Sequence, residues 1–199
     1  MAVYRVPLAL ITLGAIVVQF THGQEQANFS PLNFFSFFTI WSNGFAIAVL
    51  LIASAVRPSR DLDVFRGAAV LCTTIVLIVF ALLLRNADSD VIPWVNTILH
   101  YVAPIGMILD WILDPPLNMT TVGDLLSWLV FPFAYILYTL LRGTYVNWYP
   151  YHFLNPNIVG YTGIGVYLAG IFVLTIGVAI ALLTIANNRS PHFETYYNT

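Results

Sequence analysis

Thr39 and His100 are the two side chains of this 199-residue sequence that together supply what nucleophilic acyl transfer requires. A threonine hydroxyl attacks a carbonyl carbon only after a base removes its proton, and imidazole has the intrinsic pKa range for that work. Asn96 lies one helical turn before His100 and can fix the imidazole tautomer by a hydrogen bond. Ser36, Ser42 and Asn43 lie one turn from Thr39 and can donate to a developing oxyanion. Plainer roles stand beside these: a threonine within a span also bonds its own backbone, and a histidine within a span also serves packing through one hydrogen bond. Asp110 follows His100 by ten residues, which on a regular helix is about 15 Å along the axis and about 80° around it. Direct contact between the two is thereby ruled out, and Asp110 beside Trp111 suits a helix-pairing or interfacial role.

Six apolar stretches must position these residues: Tyr4–Phe20, Leu32–Val56, Val64–Leu84, Ile92–Leu113, Val122–Leu141 and Ile158–Ala186. Each is about 17 to 29 residues long, enough to cross hydrocarbon as a helix, where backbone polar groups must be satisfied internally. The expected fold is all-α, a polytopic integral membrane bundle of six helices in a single domain over residues 1–187, with a polar tail at 188–199. Arg5 and the apolar run from Val6 to Val18 imitate a secretory signal, but five further spans behind them favour retention as the first membrane helix. Arg5, Arg57, Arg60, Arg66 and Arg189 fall on one side of this arrangement, and Arg85 and Arg142 on the other, which predicts both termini in the cytoplasm. The sequons at Asn28, Asn118 and Asn188 conflict with that topology and are read as chance matches. In the same arrangement Thr39 lies eight residues after Pro31 and His100 seven after Pro93, both on helices running inward from the outer face. The two side chains therefore share a depth of about 10 Å. Gly163, Gly170 and Gly177 recur at seven-residue intervals on the last span and predict close approach of another helix. The aromatic-rich loop that begins at Gly143 is expected to rest in the interface.

Composition removes several function classes. Only 8% of residues are charged and 59% are hydrophobic, too little charge to cover a water-soluble surface. All seven cations are arginine, so no lysine can hold retinal as a Schiff base or act as a nucleophile. A net charge of -2 gives no basis for binding nucleic acid. Cys72 stands alone and cannot form an internal disulfide. His22, His152 and His192 are scattered through loops and tail, so neither a hydrolytic metal site nor a haem with axial histidines is expected, and no cofactor is.

The residues around the Thr39 and His100 pair resemble a known family. Phe37-Phe38-Thr39-Ile40, and His100 followed by Tyr101-Val102-Ala103-Pro104, are similar to the androgen-induced membrane proteins, six-span threonine-type hydrolases of fatty acid esters of hydroxy fatty acids. Trp148-Tyr149-Pro150-Tyr151-His152-Phe153-Leu154 resembles that family's aromatic W-x-Y-P-F-L loop, with His152 inserted. The order of motifs is closer still to a bacterial group of six-span proteins allied to the family. There Asn33-Phe34-Phe35-Ser36-Phe37-Phe38-Thr39, Leu99-His100-Tyr101, Asp110-Trp111 and Arg142-Gly143 look like recurring landmarks. The resemblance runs from the second to the sixth span. It implies Thr39 as nucleophile, His100 as general base, a lipid ester as substrate and the bacterial plasma membrane as location; the inserted His152 and shorter loops leave the choice of ester open.

Arg142, with Trp148 and Tyr149 near it in sequence, can hold a lipid carboxylate at the interface, although an arginine that ends a span is also an ordinary anchor. The rival expectation is a small-solute or proton transporter or channel, with His100, Asn96 and Asp110 lining a polar path. A third is a scaffold in which the Thr39 and His100 pair is only a hydrogen bond between helices.

Overall fold

The computed structural model describes residues 3–85, 90–117 and 120–189. Most of the 188–199 tail, His192 and the Asn118 sequon lie outside the described residues. The chain forms α1 (Arg5–Gln24), a single turn α2 (Pro31–Phe34), α3 (Phe38–Ala55), α4 (Arg60–Leu84), α5 (Pro93–Leu113), α6 (Val122–Val146) and α7 (Pro156–Arg189), with no strand among the described residues. All but α2 are long and apolar enough to cross a membrane, so the protein is an all-α polytopic bundle.

Local chemistry sets the ends. Ser59 caps α4 by accepting from the Leu62 N–H at 3.2 Å, and Thr121 and Asp124 form a reciprocal capping box on α6. Asn147 ends α6 in the left-handed conformation (φ 50°), which asparagine tolerates better than most residues. Helix α4 is the most buried span and packs against α3, α5, α6 and α7. Its buried face is built of small residues, Gly67, Ala68, Ala69, Cys72 and Thr73, which let neighbouring backbones come close where lipid leaves no hydrophobic force to pull helices together. Gly67 sits directly under the Trp128 indole of α6.

Two expectations need correction. The second span is not one helix from Leu32 to Val56: the chain breaks at Phe35–Phe37, and Phe37 is extended (ψ 134°). Two carbonyls released by the break are taken by side chains, Phe35 by the Trp41 indole N–H at 2.6 Å and Ser36 by the Tyr135 hydroxyl at 3.0 Å, which makes the break affordable inside a bundle. The glycine stripe of α7 meets no other helix: nothing lies within 4 Å of a Cβ added at Gly170 or Gly177, and at Gly163 the only neighbour is Val159 of the same helix. The aromatic loop after α6 tucks Phe153 and Leu154 into the protein, whereas Tyr145, in the last turn of α6, stays exposed.

At the opposite end a buried ion cluster ties three helices together. Asp110 of α5 accepts from Arg5 Nε (2.6 Å) and the Tyr4 hydroxyl (2.9 Å) of the α1 end, and from Arg66 Nη2 of α4 (2.9 Å). Arg66 also holds Asp63 at 3.0 Å, and Arg5 reaches Asp114.

Candidate functional site

The break at Phe35–Phe37 starts α3 only one residue before Thr39, so Thr39 occupies the first turn and its side chain faces α5. On α5, Pro104 has no N–H to offer the His100 carbonyl four residues back. The Ala103 N–H instead reaches Ile98 five residues back, and Ile98–Val102 forms a π-turn that carries His100. Thr39 Oγ1 and His100 Nε2 stand 3.2 Å apart. His100 Nδ1 is 3.0 Å from the Asn96 carbonyl oxygen. A carbonyl can only accept, so Nδ1 carries the proton in the neutral ring, Nε2 presents a lone pair, and the Thr39 hydroxyl donates to it. Phe80, in a π-turn of α4, stacks on the imidazole with ring centroids 3.9 Å apart.

This pair forms part of the wall of a cavity of about 490 Å³ between α3, α4, α5, α6 and α7. The rest of the wall is largely aliphatic and aromatic, including Val76 and Val79 of α4, Ile136 of α6 and Leu168 and Phe172 of α7. Polar groups reach it at a few points: Thr39, His100, Tyr135, Tyr151 and Thr175. Thr175 is already bonded to the Ile171 carbonyl of its own helix at 2.7 Å, so the reactive polarity is concentrated at the Thr39 end.

The supporting residues expected around the pair are arranged differently. Asn96 does orient His100, but through its main-chain carbonyl. Ser36 bonds the Leu32 carbonyl (2.6 Å) and the Tyr138 hydroxyl (2.8 Å), away from the cavity. The Asn43 amide bridges the carbonyls of Thr39 (2.8 Å) and Leu99 (3.1 Å), which joins α3 to α5 and fixes the spacing of the pair. Ser42 is fully buried with its hydroxyl unpartnered and does not line the cavity. None of the three lines the cavity: the break at Phe35–Phe37 takes Ser36 out of the helix that carries Thr39, and on that helix Ser42 and Asn43 face away from the cavity.

Arg142 donates to Asn33 at 2.6 Å and lies over the Trp148 ring at 5.2 Å, which ties α6 and its following loop to α2. Tyr149 packs on Gly143, where its ring fills the space of a missing side chain. These three residues brace the loop and do not line the cavity. Asp110 is held in the arginine cluster and does not line it either. Fourteen residues of α3 separate Thr39 from Ala53, whose carbonyl accepts from Arg5, a distance of about 21 Å along the helix.

Tyr135 and Tyr151 were not among the expected site residues. Tyr151 belongs to the aromatic loop, which folds back so that its phenol lies near Thr39, Phe38 and Tyr135 on the wall of the cavity. Burial pushes the Tyr151 phenol above its ordinary range, and those neighbours pull in the opposite direction less strongly. Tyr151 appears in the sequence only as one ring among many, and nothing in its spacing marks it as inward-facing.

Among the described residues no group of three or more histidine, cysteine or acidic side chains is arranged to hold a metal ion. No family model matches the chain, and no curated protein or solved structure is significantly similar to it.

Proposed function

We propose that the protein is an intramembrane hydrolase of lipid esters, such as fatty acid esters of hydroxy fatty acids, acting through Thr39 and His100 and lying in a bacterial plasma membrane with both termini cytoplasmic. The observation that carries this reading is the hydroxyl-to-imidazole pair, 3.2 Å apart with its tautomer fixed, in the wall of a largely apolar cavity of about 490 Å³. A hydrogen bond that only joined two helices would need no such cavity beside it. The resemblance of the motifs around both residues to the androgen-induced hydrolases supports the same assignment.

In this mechanism the acyl tail fills the cavity and the ester carbonyl reaches Thr39. His100 Nε2 takes the Thr39 proton as Oγ1 attacks the carbonyl carbon. The bond to the alkoxy oxygen then breaks, and the imidazolium gives its proton to the leaving alkoxide, leaving an acyl-threonine. Water enters, loses a proton to His100 and attacks the acyl carbon. The bond to Oγ1 breaks, Thr39 recovers its proton, and the fatty acid leaves. The rival transport reading requires Asp110 on a shared path with His100, whereas Asp110 is engaged by Arg5 and Arg66.

The test is labelling of the purified protein with a fluorophosphonate bearing an alkyl tail. The expected adduct is on the Thr39 peptide, absent in Thr39→Ala and in His100→Ala at equal expression. Hydrolysis of lipid esters that survives Thr39→Ala rejects the reading.

A further inference from the structure

Resting on the ester-hydrolase reading, the mechanism still lacks donors for the oxyanion, since Ser36, Ser42 and Asn43 are turned elsewhere. An attack by Thr39 Oγ1 develops negative charge on the carbonyl oxygen close to Thr39 itself, so the donors must lie at the start of α3. Phe38 and Thr39 are the first two residues of that 18-residue helix, and the first N–H groups of a helix have no carbonyl one turn back to receive them. Phe37, in the capping position, carries no side-chain acceptor. Inside a bilayer such groups need a partner. The Tyr151 phenol lies near both Phe38 and Thr39 at the wall of the same cavity, beside the Thr39 hydroxyl.

The protons around this oxygen can be assigned one by one. The Thr39 proton is directed to His100 Nε2, and the Tyr135 proton to the Ser36 carbonyl oxygen at 3.0 Å. The Tyr151 proton is the one not committed to a main-chain acceptor or to the base. Its ring is fixed by stacking on Phe153 (centroids 5.2 Å apart, planes at 2°) and by an edge contact with Phe37 at 5.7 Å, so the hydroxyl is held at the cavity wall beside the nucleophile. We propose that Tyr151 is a third catalytic residue: its O–H donates to the oxyanion formed on attack by Thr39, next to the N–H groups of Phe38 and Thr39. On substrate arrival the carbonyl oxygen accepts from the two N–H groups and from the phenol. No proton is transferred in this role; the phenol keeps its proton throughout, and His100 alone carries the proton to the leaving group.

The test uses the full chain in lipid nanodiscs with a chromogenic long-chain ester and a trifluoromethyl ketone that forms a tetrahedral adduct with an active hydroxyl. Wild type and Thr39→Ala come first, and an activity that is absent from wild type or unaffected by Thr39→Ala overturns the hydrolase reading and this inference together. With Thr39-dependent activity established, Tyr151→Phe keeps the stacking and removes only the hydroxyl. Its expected effect is a fall in kcat of about 10²-fold, the scale of losing one oxyanion donor, with KM within about twofold and a matching loss of trifluoromethyl ketone affinity. Wild-type kcat in Tyr151→Phe, or a lower kcat with unchanged ketone affinity, overturns the Tyr151 role while leaving the hydrolase reading intact. Should Tyr151→Phe not fold, 3,5-difluorotyrosine at position 151 retains the ring and hydroxyl but loses its proton at lower pH. The alkaline limb of kcat then moves down in pH if the phenol donates, and an unmoved limb overturns the role.

Discussion

Phe80 lies flat on His100, with ring centroids 3.9 Å apart and planes inclined by 20°. Each residue sits in a π-turn of its own helix, Phe80–Leu84 and Ile98–Val102. The stacked phenyl covers one face of the imidazole, and the Asn96 carbonyl fixes Nδ1. The ring is thereby left one free direction, toward Thr39. Wide turns of this kind re-aim side chains that a regular helix would direct elsewhere, and they recur at functional sites.

That arrangement makes the nucleophile and base a unit. Thr39→Ala and His100→Ala should each lower kcat by at least about 10³-fold, and the double variant should be no worse than either alone. Thr39→Ser keeps the hydroxyl and should retain activity within about tenfold. Steady-state hydrolysis of a chromogenic ester by wild type and the four variants checks all three statements.

The cavity should set acyl length. Ala169 of α7 lines it and has an exposed position, so a larger side chain there can be added without disturbing the buried core. Ala169→Phe is expected to lower kcat/KM for long-chain esters by about tenfold or more, leaving short-chain esters within about twofold, because only long tails need the space the ring occupies. A chain-length series measured on both proteins distinguishes this from a general loss of activity.

Asp110 should prove structural. Its carboxylate holds Arg5 and Arg66, and all three side chains are at most 5% exposed. Asp110→Asn leaves two buried guanidinium groups short of a counter-charge and should cost about 3–5 kcal/mol of stability. The readout is a lower unfolding temperature in detergent, with the fluorophosphonate label on Thr39 preserved in the fraction that remains folded.

Gly67 should not accept even a methyl group. A Cβ there runs into the Trp128 indole, which is fully buried and set edge-on against Trp111 at 5.7 Å. Gly67→Ala should destabilise the bundle by about 1–3 kcal/mol through overpacking between α4 and α6. Thermal unfolding of this variant beside Gly170→Ala, where the added group meets nothing within 4 Å, separates crowding from the general effect of replacing glycine.

The sequence by itself determined the class of protein and the partners in the pair. Runs of apolar residues long enough for hydrocarbon fixed six helices, because a backbone in lipid has few other solutions. Counting residues from Pro31 and Pro93 brought Thr39 and His100 to a common depth, and the two do meet at 3.2 Å, although the break at Phe35–Phe37 means that the count from Pro31 did not follow one helix. Rotation about the helix axis was not legible in the same way. It depends on where a helix starts and whether every turn is regular, and here a break at Phe35–Phe37 and a π-turn at Ile98–Val102 reset it. The break took Ser36 out of the helix that carries Thr39, and the π-turn set the direction of His100. The break also brought the first N–H groups of α3 to Thr39. The inward fold of the loop carrying Tyr151, and the pairing of Asp110 with Arg5 across 105 residues of chain, belong to the same category. Each is a contact between segments distant in sequence, chosen by which buried polar group lacked a partner, and only the assembled bundle decides that.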